Sequence, residues 1–283
     1  MKTKEELIEE LLDLAFAEDI GDGDHTTLST IPATAMGKSK LIIKEEGVVS
    51  GVDMALKVFE KLDPQIKTEV FIKDGSDVKP GDIVFISEGP VRSLLIAERT
   101  MLNIMQRMSG VATMTKRYQE KLKGLKTKVL DTRKTTPGMR IMEKAAVKAG
   151  GGENHRIGLF DMILIKDNHI DFAGGIDKAV ERAKEYCRET KRDLKIEVEA
   201  RTLDDVKKLA EMDGVDRIMF DNFTPEMTRA AVKIVDGRKE TESSGGITIE
   251  NLREYGETGV DYISVGALTH SVKGLDMSFK AVK

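Results

Sequence analysis

Hydrophobic and polar residues alternate along this chain in two textures, and each predicts a different kind of domain. Residues 3–18 place Leu7, Leu11, Leu14 and Ala15 at helical spacing, and Thr3 with Glu6 supplies a capping box for that helix. Gly21-Asp-Gly-Asp-His-Thr-Thr then breaks it. From about 37 to 92 the runs KLIIKEEGVVSG, KTEVFIKDG, SDVKPGDIVFISEG and PVRSLLI are short and β-rich, separated by Gly, Asp and Pro turns. They predict antiparallel strands, with Lys57–Lys61 in a helix between two of them. A long helix is expected from Ser93 to about Lys123. Its face of Leu94, Leu95, Ala97, Met101, Leu102, Ile104, Met105 and Met108 reads as core.

After Lys126 strands and helices alternate. The predicted strands are LKTKVLD, DMILIK, LKIEVEA, DRIMFDN, an ETESSG segment and DYISVGA. Helical stretches lie near 140–149, 175–190, 203–212, 225–236 and 249–257. Such alternation argues for parallel βα units, and a series of them for a β/α barrel or part of one. A doubly wound open sheet is the competitor, and it loses ground because no Gly-rich dinucleotide fingerprint follows the first strand.

Composition narrows the function classes. The chain has 283 residues, 40% hydrophobic and 33% charged, an ordinary globular balance with length for one large or two ordinary domains. No apolar run approaches the roughly 18 residues of a membrane span. MKTKEELIEE lacks the apolar core of a signal peptide, so the cytoplasm is the default expectation. Cys187 is the single cysteine, which excludes an intramolecular disulfide. The net charge is -4 and aromatics are 5%, which argues against nucleic-acid binding.

Against that acidic background, residues 131–170 are dense in cations. Arg133, Lys134, Arg140, His155, Arg156, Lys166 and His169 sit there among Gly138, Gly150, Gly151, Gly152 and Gly158, which suggests a pocket for a small polyanion. In a β/α barrel the site lies at the C-terminal ends of the strands. The predicted strands end in Arg133-Lys134, in Lys166 with Asn168, in Glu199, in Asp221-Asn222, in Ser243-Ser244-Gly245-Gly246 and in Gly266. Singly, each has a bland explanation: Lys166 as a surface lysine, Glu199 as a partner of Arg201, Asp221 as a helix cap. Six at the same end of six strands favour a site.

The Ser244-Gly245-Gly246 and Val265-Gly266-Ala267 loops suit a phosphate held by backbone N–H groups. Arg133 and Arg156 suit carboxylates through the planar guanidinium fork, and Lys166 suits phosphate as a point charge. Glu199 and Asp221 could accept hydrogen bonds from sugar hydroxyls or hold a magnesium hydration shell, or act as an acid/base pair. Glu197 alternates with Glu199 on the same strand, and Glu199 is preferred because it lies nearer the strand end.

The runs DTRKTTPGMR, GGGENHRIGL, LIKDNHI, FDNF, ESSGGI and GVDYISVGALTHS resemble those of quinolinate phosphoribosyltransferases. AEDIGDGDHTT and ERTMLNIMQRMSGVAT resemble that family too, so the likeness runs in order over nearly the whole chain. It implies an α/β fold, with an N-terminal α/β sandwich over 1–110 and an incomplete, open β/α barrel over 111–270. The tail, 270–283, is expected to pack back on the first domain. The implied reaction joins quinolinate to phosphoribosyl pyrophosphate with magnesium, giving nicotinate mononucleotide, pyrophosphate and carbon dioxide for NAD biosynthesis. Lys134, Lys166, Glu199 and Asp221 are the implied catalytic residues. Arg133, His155, Arg156 and Lys166 would line the quinolinate pocket with Lys134 nearby, Thr132 would also bind substrate, and Glu199 and Asp221 would hold the ribose hydroxyls and the magnesium shell. Ser244, Gly245, Gly246 and Gly266 would bind phosphate. Direct metal ligands stay undefined, with magnesium reachable from Glu199 and Asp221 through waters. The resemblance implies a site shared across a homodimer, alone or within a higher oligomer, with Arg99 reaching in from the neighbouring subunit.

Three rivals remain. A nicotinate-using or molybdenum-uptake-associated relative of the same family is the first. A barrel lyase or aldolase with Lys166 as a Schiff base is the second. A non-catalytic phosphate or RNA binder is the third.

Overall fold

The computed structural model describes residues 2–282. The chain starts with α1 (Lys4–Ile20) and α2 (His25–Thr30), followed by β1 (Met36–Ile43), β2 (Gly47–Val48) and α3 (Val52–Leu62). Next come β3 (Lys67–Val70), β4 (Asp77–Val78), β5 (Ile83–Pro90) and the long helix α4 (Val91–Lys121). The alternating part opens with β6 (Lys128–Leu130) and α5 (Arg140–Ala149). It continues through β7 (Ile163–Ile165), α6 (Asp167–Ala173), α7 (Ile176–Thr190), β8 (Ile196–Ala200) and α8 (Leu203–Glu211). It then passes β9 (Arg217–Asp221), α9 (Pro225–Val235), β10 (Glu240–Ser244), α10 (Leu252–Gly256) and β11 (Tyr262–Ser264). The last elements are α11 (Ala267–His270) and β12 (Met277–Ala281).

The chain divides into two compact units. One comprises residues 1–116, 135–151 and 268–283, and the other 117–134 and 152–267. In the first, an antiparallel sheet runs in the order β12-β1-β5-β3, so the C-terminal strand pairs with β1. Phe59, Phe85 and Phe279 meet in its core, the closest pair edge to face at 5.9 Å between ring centres. Such pairs add about 1 kcal/mol beyond the area they bury.

Two expectations are corrected here. PVRSLLI is not a strand: β5 ends at Pro90 and α4 begins at Val91, the proline closing the ladder where its missing N–H costs nothing. The capping box of α1 is present, with Thr3 Oγ1 accepting the Glu6 N–H at 3.1 Å and Glu6 Oε2 accepting the Thr3 N–H at 2.7 Å. Its predicted stripe is not the buried face, however. Leu12 is fully buried, whereas Leu7 and Leu14 are exposed.

The second unit contains a parallel sheet in the order β6-β11-β10-β9-β8-β7. β6 and β7 stand at its two edges, and a single parallel bridge from Leu130 to Glu153 extends the β6 edge. The sheet is therefore open. The register places Glu197 beside Arg217 and Arg217 beside Glu240; further up, Glu199 lies beside Met219 and Met219 beside Glu242. Paired residues share a face, so one face carries the acidic and basic alternates. The other carries Val198, Ile218, Phe220 and Ile263, all fully buried. This polar face departs from the branched aliphatic filling usual inside such barrels. Among the described residues no helix is long and apolar enough to cross a membrane.

Candidate active site

The polar face of the open sheet ends in a rim of side chains and loop backbone, all within the second unit. At the top of β6, buried Asp131 accepts the His155 N–H at 2.9 Å, which ties the GGGENHR loop to that strand. Thr132 Oγ1 accepts the Lys134 N–H at 3.0 Å, turning the chain so that Arg133 and Lys134 stand exposed. After β7, the Lys166 N–H donates to His169 Nδ1 at 3.0 Å, and Lys166 Nζ lies 3.4 Å from Glu199 Oε1. The Asp167 N–H donates to the other Glu199 oxygen at 2.9 Å. Glu199 is thus oriented before any ligand arrives.

On the next two strands Asp221 and Ser244 are register partners. Asn222 adopts φ 56°, a left-handed conformation uncommon outside glycine. There its side-chain Nδ2 donates to Asp221 Oδ2 at 3.0 Å, and its backbone N–H donates to Ser244 O at 2.8 Å. Gly245 and Gly246 follow with φ of 97° and 63°, so both need glycine's freedom. A Cβ on Gly245 would stand 2.1 Å from Asn222 Oδ1. The two-glycine turn thus stands beside the Ser244 hydroxyl and the Asp221 carboxylate.

Electrostatics separates the cations. Burial, reinforced by repulsion from Arg133, lowers the Arg156 guanidinium from its ordinary value, while Glu197, Asp161 and Glu199 act the other way. Arg156 Nη1 donates to Met162 O at 3.4 Å. The two guanidiniums are thus near enough for Arg156 to feel the charge of Arg133.

Beneath the rim lies a buried polar cluster. His155 Nε2 is 2.9 Å from Glu197 Oε2 and 3.5 Å from Glu242 Oε2. Arg217 Nη1 is 3.1 Å from Glu242 Oε2 and 4.0 Å from Glu197 Oε2, and the Arg217 guanidinium lies 4.4 Å from the centre of the Tyr262 ring. Burial pushes Glu197 up to about 7 and Glu242, also repelled by Glu197, up to about 8. The folded chain therefore holds protons that the unfolded chain releases. Their stabilising contribution is complete below the ordinary carboxyl value of 4.5 and is lost as pH rises through about 7 and about 8. Urea midpoints are accordingly expected to fall between about pH 5 and about pH 9, and Glu242→Gln should flatten that fall. An unchanged slope in the variant would remove the cluster as its cause.

Most sequence-predicted residues converge on this unit: Thr132, Arg133, Lys134, Arg156, Lys166, Glu199, Asp221, Ser244, Gly245, Gly246 and Gly266 stand at strand ends or in the loops after them. His155 differs, being 8% exposed with both ring nitrogens turned to protein groups. Arg99 is an exposed residue of α4 in the first unit. Arg140 also belongs to the first unit, where its Nε donates to Thr135 Oγ1 at 3.0 Å. Sequence reasoning missed Asn222 as the residue orienting Asp221, and it missed Glu242 and Arg217 altogether. Neither strand carried a usable signal: ETESS is polar at every position and RIMFD only at its two ends, so no alternation marked one polar face.

Two family models match in succession. Quinolinate phosphoribosyl transferase, N-terminal domain, covers residues 24–109, and Quinolinate phosphoribosyl transferase, C-terminal domain, covers residues 111–280. A rice protein named nicotinate-nucleotide pyrophosphorylase (carboxylating), chloroplastic, is 46% identical over 95% of this chain and 76% of its own length. The Bacillus subtilis protein named probable nicotinate-nucleotide pyrophosphorylase (carboxylating) is 42% identical over 96% of this chain and 92% of its own. The crystal structure of NadC from Streptococcus pyogenes superposes with a TM-score of 0.93 at 38% identity, with all of both chains covered. With strand-end cations, a two-glycine turn and both halves of the chain matched, this protein belongs to the quinolinate phosphoribosyl transferase family.

Proposed function

We propose that the chain transfers the phosphoribosyl group of phosphoribosyl pyrophosphate to the ring nitrogen of quinolinate and releases carbon dioxide, pyrophosphate and nicotinate mononucleotide. The observation that carries this reading is the rim itself. Arg133, Lys134 and Lys166 lie at the same strand ends as Asp221, Ser244 and the Gly245-Gly246 turn, and Arg156 follows the bridge that pairs Glu153 with β6. A dicarboxylic acid and a phosphorylated sugar are the two ligand classes that such a rim can hold side by side.

In this reading Arg133 and Arg156 take the two carboxylates of the acceptor, and Lys134 and Lys166 add positive charge where the pyrophosphate departs. Glu199 and Asp221 take the ribose hydroxyls, and the Ser244–Gly246 turn and Gly266 take phosphate oxygens. The pyridine nitrogen attacks the anomeric carbon as its bond to pyrophosphate breaks. The cations stabilise the charge that develops on the leaving oxygen. Holding both reactants in line contributes through orientation. Once alkylated, the ring nitrogen is cationic, so the electron pair left on the adjacent carbon when carbon dioxide departs is stabilised until a proton arrives there.

Magnesium fits the oxygen donors at this rim, since carboxylates and waters are its preferred partners. Glu199 and Asp221 would hold its hydration shell, where it would shield pyrophosphate charge. The reading includes a homodimer in which the partner subunit's Arg99 reaches a quinolinate carboxylate. It also places the enzyme in the cytoplasm, which fractionation of the native cell checks; recovery with an organelle would overturn it.

The deciding experiment gives the purified chain quinolinate, phosphoribosyl pyrophosphate and magnesium. Carbon dioxide and nicotinate mononucleotide should appear in equal amounts. Turnover of nicotinate but not of quinolinate would replace this reading with the nicotinate-type one.

A further inference from the structure

The mechanism above uses neither Glu197, Glu242 nor Arg217, yet burying three ionisable groups is costly unless they are held in a definite arrangement. Glu197 precedes Glu199 by two residues on β8, so it shares the polar face and sits about 7 Å further down the strand. His155 Nδ1 accepts the backbone N–H of Arg156 at 2.7 Å. That bond leaves the ring proton on Nε2, which lies 2.9 Å from Glu197 Oε2 in a close contact without the alignment of a hydrogen bond. The His155 backbone N–H is anchored on Asp131. His155 therefore ties the start of the Arg156 loop to the end of β6 through its backbone N–H and to β8 through the ring contact with Glu197, while its Nδ1 braces the loop itself. Arg217 Nη1 stands 4.0 Å from Glu197 Oε2 and is itself clamped by Glu242 at 3.1 Å and by Glu240 at 3.0 Å. Three metal-ligand side chains, His155, Glu197 and Glu242, converge here, but the cation in their midst is already the Arg217 guanidinium.

We propose that Glu197, backed by Arg217 and Glu242, is a positioning residue for the acceptor acid: it fixes His155, and through it the loop that carries Arg156 against Arg133. The repulsion between those two guanidiniums gives the device its purpose, because a loosely tied Arg156 would swing away from Arg133 when no dianion is bound. This inference rests on the quinolinate reading and goes beyond it, since it assigns buried residues that touch neither substrate.

The test is a split between the two substrates. Glu197→Leu removes the carboxyl that faces the Nε2–H, and the KM for quinolinate should rise tenfold or more while the KM for phosphoribosyl pyrophosphate stays within twofold. Glu197→Gln, which can still accept that proton, should recover most of the loss. A purely structural role predicts a lower kcat with both KM values unchanged. A screening role of the buried negative charge predicts a lower quinolinate KM. Either result, or a parallel rise of both KM values, overturns the proposal. Should Glu197→Leu fail to fold, the double variant Arg217→Met with Glu242→Met decides the matter. It removes the Arg217 guanidinium together with the buried carboxyl that clamps it, and so the backing of Glu197, a replacement by apolar side chains that buried polar clusters often tolerate. A wild-type quinolinate KM in that double variant sinks the inference. An inactive wild-type enzyme would instead sink the quinolinate reading, so the two failures are distinguishable.

Discussion

Arg156→Ala is expected to raise the quinolinate KM about a hundredfold, because truncating one partner of a partly buried charge contact costs roughly 3 kcal/mol. Arg156 is half-buried, and its guanidinium is already lowered by burial and by Arg133. Alanine keeps the backbone N–H that His155 Nδ1 accepts, so the loop survives and only the guanidinium is lost. Arg156→Lys should recover little, since an ammonium cannot make the two parallel hydrogen bonds of a guanidinium to a carboxylate. Initial rates at varied quinolinate, with phosphoribosyl pyrophosphate saturating, check the result. The same variant tests the shared site. Mixed with Arg99→Ala subunits, and assayed at quinolinate low enough that each variant alone turns over little, random two-fold dimers should regain about a quarter of wild-type sites. Absence of any rescue counts against a partner's Arg99 in the pocket, and an unchanged quinolinate KM removes Arg156 from acceptor binding.

Gly245→Ala should damage the opposite half of the site. The added Cβ would stand 2.1 Å from Asn222 Oδ1, 2.7 Å from its Cγ and 3.1 Å from its backbone N, on a backbone with φ 97°. Asn222 cannot simply step aside, because it is itself left-handed and holds both Asp221 and the Ser244 carbonyl. Relief therefore moves Asp221 or opens the phosphate turn. Strain of about 1–3 kcal/mol transmitted to donor binding corresponds to a phosphoribosyl pyrophosphate KM roughly tenfold to a hundredfold higher. The quinolinate KM should move much less. Gly246→Ala serves as the control: its φ is 63°, but a Cβ there meets open space. It should cost only about the 1 kcal/mol of a left-handed alanine. Equal effects from the two substitutions would show that backbone strain, not the contact with Asn222, is what matters.

Much of the catalytic half was legible in advance for a physical reason. A parallel sheet of βα units delivers every strand end to one edge, so reading each strand to its last residue recovers Lys166, Glu199, Asp221 and the Ser244–Gly246 turn. The antiparallel half was less legible. PVRSLLI has a strand's apolar density, but Pro90 makes it the end of one strand and the beginning of a helix. Likewise Leu7 and Leu14 fit a helical stripe, yet periodicity does not say which side of α1 meets the core.

The sequence by itself determined the family, the alternation of strands and helices, and the chemical character of the rim, because these depend on residue types at short spacings. Only the tertiary structure decided which of two similar glutamates faces which partner. Glu199 sits at the rim against Lys166 and the Asp167 N–H, and Glu197 lies below it against His155. The two are separated by one residue on one strand, so they share a face and no local pattern distinguishes them. Their roles are set by what other strands and loops bring near. Arg217 and Glu242 come to Glu197 from β9 and β10, and His155 comes from a loop some forty residues away along the chain. That is also why the dense cation cluster between Asp131 and Ile170 could be recognised from sequence as anion-binding, while the buried acids beneath it could not.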